Sequence, residues 1–106
     1  MARGLIEDPA NDILVSPASY WEIAIKVSKK KLDLFAPFAE FMRKGIFGND
    51  FEILPVDPSH CDPLINLPFH HNDPFDRLLI AQALTEGVPL VSIDSALDAY
   101  GVQRIW

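Results

Sequence analysis

His70-His71-Asn72-Asp73-Pro74-Phe75-Asp76-Arg77 runs directly into Leu78-Leu79-Ile80-Ala81-Gln82-Ala83. The junction reads as a helix start. Asp73 is an N-cap residue type, because its carboxylate can accept from the open amides of a first turn. Pro74 suits the first helical position, where no amide is needed. The helix extends to Glu86, with Gly87 as a natural stop and Pro89 beyond it. Val88 to Ile93 then reads as a buried strand. Asp94 caps a short helix over Ser95 to Tyr100, Gly101 ends it, and Val102 to Trp106 forms a last strand.

Toward the N-terminus the same alternation continues. Ile13 to Ser16 is apolar and too brief for a helix, so it reads as a short buried strand ended by Pro17. Ser19 with Glu22 three residues on has the pattern of a capping box, opening a helix to about Ser28. Trp21, Ile23, Ala24, Ile25 and Val27 cover most of its sides, which predicts heavy burial. A second helix starts near Pro37, with Phe38, Phe41 and Met42 on one stripe and Phe35 and Ile46 near its ends. Phe51 to Val56 alternates as a strand, and Asp57-Pro58-Ser59 caps a short helix over His60 to Leu67. Strands alternating with helices predict an α/β fold with a short, mainly parallel sheet.

Length and composition narrow the class. The 106 residues fit one domain, and a 49% hydrophobic fraction supplies a core. No run approaches the ~18 apolar residues of a membrane span, and the opening residues do not form a secretory signal. A single cysteine, Cys61, suits a reducing cytoplasmic setting. The net charge of −6 argues against a simple nucleic-acid coat but not against a carboxylate-lined metal site. Lys26, Lys29, Lys30 and Lys31 hold four of the nine basic residues, either as a solvated helix end or as an RNA-backbone patch.

The acids are where chemistry enters. In a parallel α/β layer, each strand ends where the next helix begins, and ligands bind outside that edge. Glu22, Asp73, Asp76 and Asp94 all fall at that edge on this reading. Such a set suits one or two hard divalent cations, Mg²⁺ or Mn²⁺, able to bind a phosphate and activate water. Each acid also has a purely structural explanation as a cap or a first-turn charge. His60, Cys61, His70 and His71 lack zinc-ligand spacing, and a lone cysteine is more often a small core residue. The Phe38/Phe41/Met42 stripe serves either core packing or a protein-binding face.

Several segments resemble one family. Val15-Ser16-Pro17-Ala18-Ser19-Tyr20-Trp21-Glu22-Ile23-Ala24-Ile25-Lys26, the strand Phe51 to Val56, and Leu67-Pro68 are similar to segments of bacterial PIN-domain toxins of the VapC type. So are the His70 to Ala83 run, Pro89 to Asp94 and the ending Ile105-Trp106. The resemblance runs from about Glu7 onward. It implies a PIN-like, Rossmann-like three-layer α/β/α fold across 1–106 and a metal-dependent endoribonuclease paired with a small antitoxin. Glu22, Asp76 and Asp94 match the acidic metal positions. Asp73 and Asp98 are nearby accessory candidates. Ser19 and Arg77 match motif positions that order the site or the phosphate, with an N-cap and a surface ion pair as their alternatives.

The family opens with a central strand ending in an aspartate, often Asp-Thr-His, and Met1 to Asp12 does not resemble it. Met1 to Asp12 reads instead as the tail of a following helix, and Asp8 and Asp12 follow no apolar run. The expectation is therefore an N-terminally truncated sheet, with self-association to cover unpaired backbone. A catalytically impaired remnant that binds an antitoxin is the second reading. A small phosphatase-like α/β domain is the third, and it would need an aspartate directly after an early strand.

Overall fold

The computed structural model describes residues 1–34 and 36–106, so the expectation for Phe35 lies outside the described residues. The chain falls into two compact units. One comprises Met1–Asn11 with Val56–Trp106, the other Asp12–Pro55.

In the larger unit, helix α1 spans Ala2–Glu7. The other elements of this unit come after residue 55 in the chain, and Asp57 opens the first of them. Its carboxylate accepts from Ser59 N–H at 2.9 Å, which holds the Asp57 carboxyl below its ordinary range. Its own N–H donates to His60 Nδ1 at 3.0 Å, closing a capping box at the head of helix α4 (Pro58–Cys61). A 3-10 turn over Asp62–Ile65 follows.

The longest helix of the unit, α5 (Pro74–Glu86), starts where the Asp73-Pro74 junction predicts it, with Gly87 left-handed at its end. Ile80, Ala81, Gln82 and Ala83 are all buried. Four consecutive buried residues mean that α5 is covered on several sides. Ile80 and Leu97 form the centre of a core with Leu67, Ala83 and Val102. Complete burial of each large side chain contributes roughly 1.5–3 kcal/mol.

His60 ties α4 to α5. It is only 2% exposed, and its Nε2 meets Glu86 Oε1 at 2.8 Å. With Nδ1 accepting from Asp57, the ring proton belongs on Nε2, so the ring donates to Glu86. Strands β3 (Leu90–Val91) and β4 (Arg104–Ile105) pair in parallel, Leu90 opposite Arg104 and Val91 opposite Ile105. A parallel pair needs a crossover of roughly a dozen residues. Here it carries a 3-10 helix over Ser95–Tyr100 rather than an α-helix.

In the smaller unit, β1 (Leu14–Val15) pairs in parallel with β2 (Glu52–Ile53). Between them run α2 (Pro17–Ser28), α3 (Phe38–Gly45) and a 3-10 turn over Phe47–Asn49. The predicted capping box at Ser19 and Glu22 is corrected. The N-cap is Ser16, whose hydroxyl accepts from Ala18 N–H at 3.1 Å. Pro17 takes the first helical position, which moves the start three residues earlier and puts Glu22 beyond the first turn. The heavy burial predicted for α2 is also corrected, since Ala18 alone of its residues is buried and Trp21 is 60% exposed.

Among the described residues, the strands form two two-stranded parallel sheets rather than one. Each strand is shorter than the segment that predicted it, because a ladder needs a neighbour in register as well as a suitable pattern of side chains.

Candidate metal centre

The centre forms where the chain enters α5 and where it leaves β3. Asp73, the N-cap, accepts at Oδ1 from Phe75 N–H at 2.8 Å and Asp76 N–H at 3.2 Å. That turn presents Asp76 one helical step into α5. Asp94 caps the 3-10 helix through Oδ1, which accepts from Ala96 N–H at 3.0 Å. Its other oxygen, Oδ2, lies 3.3 Å from His71 Nε2, and Asp76 Oδ2 lies 3.3 Å from the same nitrogen. Among the described residues, His71, Asp76 and Asp94 form the group whose ligand atoms all lie within 4.8 Å of one another.

His71 is held by its backbone and by its ring. Its N–H donates to Tyr100 Oη at 2.7 Å, and its Nδ1 accepts from Asp73 N–H at 3.0 Å. A nitrogen that accepts cannot carry the proton, so the ring is the neutral tautomer with hydrogen on Nε2. The contacts with Asp76 and Asp94 are therefore those of a neutral N–H dipole. At 3.3 Å they are longer than a good hydrogen bond.

Arg77 builds the loop behind His71. It is buried, with 7% of its surface exposed. Nη1 donates to Pro68 O at 2.9 Å and Nη2 to Leu67 O at 3.1 Å, and the guanidinium lies 3.9 Å from the centre of the Phe69 ring. The surface ion pair considered for it is corrected: its fork holds main-chain carbonyls, which a rigid planar group does better than an ammonium.

Asp73 acts as the N-cap. Asp98 pairs with Arg104, whose Nε donates to Oδ1 at 2.8 Å, and this bond lowers the Asp98 pKa from its ordinary value. The Arg104 pKa is raised by the same bond, with a smaller contribution from the charge of Asp94. Glu22 and Ser19 are half-buried on α2 in the smaller unit, and Ser19 is not an N-cap. Cys61 is exposed rather than a core residue. His60 is engaged with Glu86, and His70 packs edge-on against Tyr100 at 5.1 Å between ring centroids.

Sequence reasoning missed His71. The available signal was local: a histidine two residues before an N-cap can accept the N-cap's own amide, which turns Nε2 toward the head of the helix.

The donor set fits a hard divalent cation. Two oxygens on one Mg²⁺ stand at most about 4.2 Å apart, and the ligand atoms of this group lie within 4.8 Å of one another. Carboxylates are also the ligand type that Mg²⁺ and Mn²⁺ prefer. Asp76 from the first turn of α5 and Asp94 from the cap of the following 3-10 helix thus make, with His71, a group that could hold a divalent cation. The chain belongs to the PIN-domain family, whose model, PIN domain, matches residues 1–103. No curated protein and no solved structure matches it. PIN domains are generally metal-dependent nucleases.

Proposed function

We propose that this chain is a metal-dependent endoribonuclease of the VapC toxin type, using Mg²⁺ or Mn²⁺ held by Asp76 and Asp94. The observation that carries the reading is the convergence of Asp76 Oδ2 and Asp94 Oδ2 on one nitrogen at 3.3 Å each. A divalent ion bound there supplies a water of lowered pKa and charge stabilisation at the scissile phosphodiester. The chain's own residues do the positioning. Asp94 anchors one oxygen on its cap and leaves the other toward the pair. Arg77 and Tyr100 hold the segment that carries His71. Glu22 joins the proposed ligand set on its motif alone, with Asp73, Asp98, Ser19 and Arg77 as supporting positions.

The reading includes an RNA substrate, a small cognate antitoxin, self-association and a cytoplasmic setting. No helix among the described residues is long and apolar enough to cross a membrane. The test is cleavage of an end-labelled RNA. Cleavage should require Mg²⁺ or Mn²⁺, stop with a chelator, and fall by about 100-fold or more in Asp76→Asn, at least the loss seen when a supporting residue of a metal site is removed. Cleavage that survives both treatments refutes the proposal. Absence of cleavage with every divalent ion, with antitoxin binding intact, supports the impaired-remnant reading instead.

A further inference from the structure

We propose that His71 is the internal occupant of the Asp76–Asp94 pair and not one of its metal ligands, so its ring must leave the pair before a divalent cation can enter. The proposal rests on the reading of Asp76 and Asp94 as metal-holding groups. Proximity alone would make His71 a third ligand, since its Nε2 lies within ligand-group distance of both acids. The hydrogen-bond pattern argues the opposite. Neutral imidazole has one nitrogen lone pair available to a metal, and here Nδ1 directs it at Asp73 N–H. Nε2 therefore turns a hydrogen, the positive end of its dipole, toward the two carboxylates.

The competition is for particular atoms. Asp94 Oδ1 is engaged by Ala96 N–H, so Oδ2 is the oxygen that Asp94 turns to a cation. It is also the oxygen that faces His71 at 3.3 Å. Asp76 Oδ2 faces the same nitrogen at the same distance. A cation on these two oxygens would meet an N–H of unfavourable polarity. The ring can move without opening the loop, because the His71 N–H is fixed separately by Tyr100 and the loop carbonyls by Arg77. The side chain is 21% exposed, so solvent is open to it.

Mn²⁺ binding to the full chain, read by electron paramagnetic resonance of the free ion, separates occupant from ligand. His71→Ala should bind Mn²⁺ about three- to tenfold more tightly than the wild type, the range set by one competing hydrogen-bond-like contact. Asp76→Asn should lose binding in either background. Equal or weaker binding in His71→Ala overturns the assignment of His71 and leaves the metal reading standing. No binding above the Asp76→Asn level in both the wild type and His71→Ala overturns the metal reading and this proposal with it.

A second measurement uses the unmodified protein. At about pH 8, above the ordinary histidine range, ¹⁵N spectra without metal should show His71 protonated on Nε2. Saturating Mg²⁺ should shift both the His71 ring and the Asp73 amide as their bond breaks. A His71 ring that keeps its metal-free pattern under saturating Mg²⁺ refutes the proposal.

Discussion

Arg77 keeps a permanent charge almost wholly out of water, and its guanidinium binds Leu67 O and Pro68 O. Burying a charge is costly unless its donors are satisfied, and a carbonyl left without its donor is costly as well. Replacing Arg77 by Met keeps much of the volume but frees both carbonyls. The expected loss is about 2–4 kcal/mol of unfolding free energy, measured by urea denaturation. Arg77→Lys should recover only part of it, because an ammonium cannot span two carbonyls in a fixed fork. This role was hidden in the sequence. Phosphate contact, ion pair and buried clamp all use the same residue type, and only burial separates them.

Two helix starts carry the site, and both are opened by aspartates. The Asp73-Pro74 signal was legible because capping is local: acceptor and amides lie within three residues. What could not be read locally was which capping acid also faces the proposed metal position. Asp94 does both, one oxygen to each task. Substitution by Asn tests the division, since an amide oxygen caps about as well as a carboxylate. Asp73→Asn should keep both stability and RNA cleavage, whereas Asp94→Asn should keep stability within about 0.5 kcal/mol and lose cleavage. Thermal melts paired with the RNA assay check both. The N-cap of α2 shows the limit of motif reading. Ser19 with Glu22 has the right spacing, yet Ser16 prevails because Pro17 already favours the first helical turn.

At the scale of the whole molecule, large apolar side chains remain exposed. Met1 is 83% exposed and Trp106 60%, and with Ala2 and Ile6 they line one shallow hollow in the larger unit. Exposed apolar surface of this kind favours association. Sedimentation velocity over a range of concentrations should show a concentration-dependent dimer or larger species, reduced by Trp106→Ser. A strictly monomeric profile removes self-association from the proposed function.

The sequence by itself determined which segments are helical, that strands alternate with them, and the family, because capping signals, prolines, apolar runs and motif spacing are all short-range. It also carried Asp76 and Asp94 as acids of interest. Tertiary structure alone decided that the strands pair two by two, that Arg77 faces inward, and that Asp94 meets His71 beside Asp76. The last of these brings Asp94, well along the chain, to a histidine in the loop before α5. Contacts across that separation depend on how the core of Leu67, Ile80 and Leu97 packs α5 against the 3-10 helix, and no local pattern of residues encodes them.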